Sequence, residues 1–232
     1  MLLIGKLIRN YFSKFLLVFL VLVGCKEKTT ETEINKFEKE LGLEIADGLT
    51  KVVVHFDNLL LNKYPDVALE KAYEKHLKFI MEAEVLSINE WLQAQFRKDS
   101  IFNLYSNNLI EEIWIQPDSV WVTDSKLYKL YRSKSNASKR EIRVRIKNYD
   151  SLVYFEQNVE TFNIRGKYLG AFQKIAESNE IAEWYYDMKY HAGSVSPHIT
   201  AQSFLNSRVA LDDYLIKRII LIETFTKFIS QE

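Results

Sequence analysis

Three side chains near the end of a predicted helix have the types and spacing of a metal or acid–base site. Asp187 and His191 are four residues apart, so on a helix they share a face, where they can contact each other or a common ion. His198 follows after a short turn and could approach them. A simpler interpretation is that His191 interacts with a local carboxylate at the carboxyl end of its helix, where a protonated histidine is favoured. As an alternative to a binding role, Asp187, His191 and His198 therefore predict a hydrolase or metal-dependent enzyme.

Other polar residues give little reason to expect catalysis. His76 lies on an apolar helical stripe, which is typical of a histidine packed in a core. The acidic pairs Glu111-Glu112 and Asp212-Asp213 are adjacent in sequence, and adjacent helical residues do not face each other. The chain lacks the glycine-rich phosphate loop and the HExxH and GxSxG motifs. Because Cys25 is the single cysteine, we expect no thiolate metal site, and we predict no catalytic residue, metal or cofactor.

The strongest electrostatic feature is a basic segment between Lys126 and Lys147. Glu141 is its one acidic residue, and Tyr128 and Tyr131 alternate with the charges. Such a segment could bind acidic lipid headgroups, an anionic glycan or an acidic protein, or it could be a solvated face balanced by acids elsewhere in the fold. Its nine basic residues form a candidate docking patch: Lys126, Lys129, Arg132, Lys134, Lys139, Arg140, Arg143, Arg145 and Lys147.

The start of the chain has the pattern of an export signal. Three basic residues and no acidic residue precede an apolar run over residues 15–23, and the small residue Gly24 follows it. The run is shorter than the roughly 20 apolar residues that a membrane-spanning helix needs. An export signal is therefore favoured over a transmembrane helix, although both interpretations remain open.

The residues Leu22-Val23-Gly24-Cys25 resemble the lipobox of bacterial lipoproteins. The resemblance implies that a signal peptide over residues 1–24 is removed and that Cys25 receives lipid on its sulfur and an acyl chain on its new amine. It also implies a stable membrane anchor, because more than one acyl chain is needed for firm binding. By the sorting pattern of other bacteria, Lys26 after the cysteine implies the outer membrane, on its periplasmic or surface face.

Composition favours a single helical domain. The chain has 31 acidic and 31 basic residues, and three of the basic ones precede Cys25, so residues 26–232 are net acidic. This balance gives no reason to expect nucleic acid as a partner. The 13 Tyr and 14 Phe residues supply a core, while 7 Gly and 3 Pro leave few breaks and favour long helices. We predict a lipidated tether over residues 25–33 and one helical domain over residues 34–232.

Local signals place several helix ends. Thr30-Glu31-Thr32-Glu33 fits a capping box at a helix start. Pro65 suits the first position of a later helix, because its missing N–H costs nothing there. Gly193 suits a helix end and Ser196-Pro197 the start of the next helix. From Leu211 onwards, a wide apolar face predicts a last helix at the centre of the core.

The middle of the chain, over residues 115–165, is ambiguous. Val120-Trp121-Val122 has the composition of a strand. Residues 141–147 alternate between polar and apolar, as a half-buried strand does, but their apolar spacing also fits a helix. We therefore predict a mainly α fold, a bundle-like domain of several helices, with a small β-hairpin or sheet over about 118–148 left open.

The leading functional hypothesis is a membrane-anchored cell-envelope lipoprotein that binds or scaffolds another component without being an enzyme. The stretches Gly166–Leu169, Ser196-Pro197 and Lys217–Ile220 are similar to those of Bacteroidota envelope lipoproteins of unknown function, which implies no activity. A third alternative is capture of a small ligand in an aromatic pocket between helices. Such a pocket would be lined by one or more of the tryptophans Trp91, Trp114, Trp121 and Trp184.

Overall fold

A computed structural model of the chain describes residues 28–82, 109–123, 126–132, 137–143, 152–153 and 161–224. The protein is mainly helical with small β elements, as predicted. The helices are α1 (Glu31–Leu41), α2 (Leu43–Lys63), α3 (Leu69–Glu82), α4 (Ile110–Ile113), α5 (Lys167–Ile175), α6 (Glu180–Ala192), α7 (Pro197–Asn206) and α8 (Tyr214–Thr224). The strands are β1 (Trp114–Ile115), β2 (Ser119–Thr123), β3 (Lys126–Arg132), β4 (Ala137–Arg143) and β5 (Thr161–Phe162). In these residues, none of the helices is both long and apolar enough to cross a bilayer.

Most of the local helix signals are confirmed. The Thr30 hydroxyl accepts a hydrogen bond from the Glu33 N–H, and the Glu33 carboxylate accepts one from the Thr30 N–H, which completes the capping box of α1. Gly193 ends α6 with a positive φ of 66°, which glycine adopts at little cost. Pro197 is the first residue of α7, as its fixed φ favours.

The prediction that Pro65 starts a helix is wrong. Pro65 lies in a turn after α2, and α3 begins at Leu69. Asp66 has a φ of 65°, a left-handed conformation that no residue of an α-helix adopts. The proline instead occupies a turn position, where its fixed φ is equally favourable.

The helix α8 is the centre of the core. Nearly all of its side chains are buried, which confirms the prediction for the last helix up to Thr224. Its Ile and Leu side chains belong to one hydrophobic cluster with Phe56 of α2, Tyr73 of α3 and Tyr185 of α6. Burial of such large side chains contributes about 1.5–3 kcal/mol each for aliphatic residues and phenylalanine.

Helices α1 and α5 are antiparallel and define two ends of the bundle. At one end, the Glu33 carboxylate of α1 lies near the side chains of Ser178 and Asn179, which follow α5. At the other end, Gly42 after α1 lies beside Lys167 at the start of α5. We call the first the Thr29 end, because Thr29 lies just before α1, and the second the sheet end, because β5 leads into α5 there.

The strands form two small antiparallel sheets in the region that the sequence left open. β1 pairs with β5, and β2, β3 and β4 form a three-stranded sheet in that order. Glu141 to Arg143 belong to β4, so the strand interpretation holds for the described part of residues 141–147. The two sheets are joined by the short connection from Ile115 to Ser119 and by a hydrogen bond from Thr161 to the Tyr131 hydroxyl.

Gly166, at the start of α5, allows the α4 segment to approach closely. The Glu112 carboxylate accepts a hydrogen bond from the Lys167 N–H, and a Cβ at Gly166 would collide with the Glu112 backbone oxygen. By contrast, a Cβ at Gly170 inside α5 would meet nothing within 4 Å. The glycine at Gly166 is therefore required by packing and the glycine at Gly170 is not.

We predict opposite effects of the same substitution at these two positions. Gly166→Ala lowers the free energy of unfolding by about 1–3 kcal/mol, because the backbone of Glu112 must move. Gly170→Ala raises it by up to about 1 kcal/mol, because alanine favours the helix. Urea unfolding followed by circular dichroism measures both values. A Gly166→Ala protein as stable as the parent would contradict the close approach.

Candidate functional site

The chain just before α1 is attached to the folded domain. The Thr29 N–H and hydroxyl both donate to the Asp213 carboxylate, each at 2.7 Å, and the Lys28 ammonium lies 3.2 Å from the Asp212 carboxylate. We call these contacts the Thr29 clamp. Because α1 starts at Glu31, the residues from Lys28 onwards belong to the domain and not to the predicted tether. Cys25 lies outside the described residues.

The basic segment does not form one surface, because alternate residues of a strand lie on opposite faces. On β3, Leu127, Lys129 and Tyr131 are buried and form the inner face. Lys126 and Tyr128 are half-buried on the outer face. Lys129 therefore does not belong to an exposed patch, which corrects the sequence analysis at that position.

The strand register assigns most of the other basic residues to the two faces. Lys126 is opposite Arg143, and Leu130 is opposite Lys139, so these positions belong to the outer row. Lys129 is opposite Arg140 in the inner row. The remaining strand position, Arg132, pairs with Ala137 in the outer row. Three residues of the candidate docking patch lie outside the described residues: Lys134, Arg145 and Lys147.

A pair of stacked aromatic rings lies in the same outer row. Trp121 of β2 is opposite Tyr128 of β3, and their rings stack with centroids 5.4 Å apart and planes 15° from parallel. Tyr128 is in turn opposite Glu141 of β4. The outer face of the three-stranded sheet thus combines basic strand positions with an aromatic pair, which is an arrangement suited to an anionic ligand that also has apolar surface.

The residues of the predicted enzyme site do not form a metal-binding group. Asp187 and His191 are exposed on α6, and the His191 ring contacts the Tyr190 ring edge-on at 5.2 Å. Across the described ranges, no three His, Cys, Asp or Glu side chains form a group that could hold a metal ion. Asp187, His191 and His198 therefore form no metal site here, and the hydrolase alternative stays a prediction.

His76 is a buried core residue, as predicted. Its Nε2 lies 3.0 Å from the Thr224 hydroxyl, which itself donates to the Ile220 carbonyl. Since that hydroxyl has a single hydrogen, Nε2 must be the donor to Thr224. Burial, helped by the nearby Lys63 charge, lowers the pKa of His76 from 6.5 to about 3, so the ring is neutral at physiological pH.

The most unusual polar group is one that the sequence did not reveal, a fully buried ion pair between Lys189 and Glu223. The Lys189 ammonium lies 2.9 and 3.0 Å from the two Glu223 oxygens, and the Tyr185 hydroxyl donates to Glu223 at 2.6 Å. Burial and the Glu223 charge raise the pKa of Tyr185 well above its usual value. The same ammonium lies 4.0 Å from the Phe162 ring centre and 5.5 Å from that of Trp114.

One groove in the described residues has a volume of about 420 Å³ and lies between α3 and α7. Phe204 and Leu211 line one side of it, and its lining contains no tryptophan. On the other side, Glu74 is paired with Lys71 at 2.6 Å and with Lys78 at 2.8 Å. Of the four tryptophans, Trp114 is buried against Phe162 and Trp91 lies outside the described residues, whereas Trp121 and Trp184 are half-buried.

Comparison with protein families, curated proteins and solved structures finds no match to this chain. The function must therefore be inferred from its own residues.

Because His76 is buried in its neutral form, we predict that the folded protein loses stability in mild acid. The unfolded chain binds a proton at His76 below about pH 6.5, whereas the folded chain binds it only near pH 3. The contribution of the neutral, buried His76 ring to the free energy of unfolding is complete above about pH 6.5, the pKa of the ring in the unfolded chain. It is lost as the pH falls from about 6.5 to about 3, the pKa in the folded chain. From about pH 7.5 to 5.5, the parent should lose about 1.4 kcal/mol more unfolding free energy than His76→Gln. Urea titrations at both pH values measure this difference, and an identical pH dependence of the two proteins would refute it.

Proposed function

We propose that this protein is a lipid-anchored protein of the cell envelope that binds an anionic component through the outer face of its three-stranded sheet. The lipobox resemblance at Cys25 supports the anchor. The Thr29 clamp is consistent with it, because the folded domain starts immediately after the residues that would follow a lipidated cysteine. The binding role needs no catalytic group.

The observation that carries this proposal is the register between β3 and β4. It brings Lys126 opposite Arg143 in the same outer row as the stacked Trp121 and Tyr128 rings. An anionic ligand with apolar faces would match this combination of basic strand positions and aromatic rings, which supports a docking surface rather than a solvated face.

Reversal of the opposed pair should abolish binding to a polyanion. We expect the mature lipidated chain in phosphatidylcholine nanodiscs to bind fluorescent dextran sulfate at low salt and to release it as salt is raised. Each contact between a cation and an anionic ligand contributes up to about 1 kcal/mol. Loss of two such contacts in Lys126→Glu with Arg143→Glu should weaken binding about tenfold or more. Fluorescence anisotropy measures the dissociation constant.

The matched control makes the same charge change on a helix. Lys36 and Lys39 are exposed on α1, so Lys36→Glu with Lys39→Glu alters the net charge equally without touching the sheet. This variant should bind nearly as the parent does. Equal losses in both double variants, or no binding by the parent at low salt, would rule out docking at the sheet.

A further inference from the structure

The Thr29 clamp and the sheet lie at opposite ends of the helical bundle. Asp213, which holds Thr29, immediately precedes α8, whereas Glu223 is near the last described residue of that helix. Glu223 is joined to Lys189, whose ammonium contacts the Phe162 ring of β5. The 11 residues of α8 span about 16 Å at the usual rise of 1.5 Å per residue.

Helix α6 runs in the same direction and supports this separation. Its amino-terminal cap, Asn179, lies near Glu33 at the Thr29 end. Its last turn carries Lys189 at the sheet end, and the following Ser194 accepts a hydrogen bond from the Phe162 N–H of β5. Two parallel helices therefore separate the clamp from the strands.

The chain between a lipidated Cys25 and the clamp is short. Lys28 is the third residue after Cys25, and three residues reach at most about 10 Å when fully extended. This reach is less than the length of α8, so an anchor at Cys25 holds the Thr29 end close to the bilayer. The rest of the mature chain is net acidic because the basic residues are concentrated in one segment. Its body therefore gains nothing from lying against an anionic lipid surface.

We infer that the three-stranded sheet lies at the end of the bundle away from the anchoring membrane and that its outer face binds an acidic polysaccharide. This inference rests on the proposed function, and it selects one partner class from those that a basic surface could bind. A polyuronate provides carboxylates for the basic row and apolar C–H sugar faces for the Trp121 and Tyr128 rings. An acidic polypeptide provides the charge without the flat apolar faces, and the lipid headgroups of the anchoring bilayer lie at the other end of the bundle.

The orientation is tested with one fluorophore at each end of the bundle. Lipidation blocks the thiol of Cys25, the one cysteine of the chain, so Thr32→Cys and Gln116→Cys each provide a single free thiol. Both positions are exposed, Thr32 in the first turn of α1 and Gln116 between β1 and β2. The lipidated variants are placed in vesicles of phosphatidylcholine and phosphatidylglycerol that contain a nitroxide-headgroup lipid.

We expect strong nitroxide quenching of the label at Thr32→Cys and none at Gln116→Cys. Equal quenching at both positions would overturn the inference, because the sheet end would then lie on the bilayer. No quenching at either position would overturn the anchoring itself. A failure of anchoring is recognised separately by metabolic labelling. A protein that is not lipidated carries no fatty-acid label, whereas the anchored parent carries a label that Cys25→Ala removes.

The partner class is tested by competition between polyanions of similar charge density. Polygalacturonate should bind the nanodisc-anchored chain more tightly than polyglutamate does. Trp121→Leu should lose this preference while polyglutamate binding is unchanged, and Trp121→Phe, which keeps a ring, should retain it. Tyr190→Ala removes an exposed ring from α6 and serves as the control. Equal affinity for the two polymers would indicate an acidic polypeptide, and binding to anionic vesicles alone would indicate a lipid surface; either result overturns the inference.

Discussion

Burial of α8 is the constraint on which the rest of the structure depends. Nearly every side chain of this helix is removed from water, although it includes charged residues. A buried charge is tolerated only when it is paired or hydrogen-bonded. Arg218 donates to the Thr50 hydroxyl of α2 at 2.7 Å, and Glu223 is paired with Lys189 of α6 at 2.9 Å. The positions of α2 and α6 around α8 are therefore set by specific polar contacts as well as by apolar packing.

The pair of Lys189 and Glu223 also connects the helices to the strands. Removal of one partner from a buried ion pair typically costs about 3–5 kcal/mol, because the other charge is left without compensation. The Lys189 ammonium contacts the rings of Phe162 and Trp114, which belong to the paired strands β5 and β1. The Thr29 clamp occupies the opposite end of α8. The same helix thus contacts the amino-terminal segment at one end and is connected to the strands at the other, so these two parts of the domain lie at opposite ends of α8.

The sequence was informative where the signal is local. The capping box at Thr30–Glu33 and the helix end at Gly193 need only neighbouring residues, and both were predicted correctly. Pro65 was misassigned because a proline fits a turn and a helix start equally well. The pair of Lys189 and Glu223 could not be predicted, since the residues are far apart in the chain and charged side chains are usually exposed. Because charged side chains are usually exposed, the sequence also favours a single surface for the basic segment, whereas strand alternation buries Lys129.

Helix α8 separates the amino-terminal segment from the strands, and the distance between nitroxide spin labels at Thr32→Cys and Gln116→Cys in a single lipidated chain tests this separation by double electron–electron resonance. We expect one narrow distance distribution centred beyond the roughly 16 Å length of α8. A distance shorter than that length would place the strands beside the Thr29 clamp and would refute the separation.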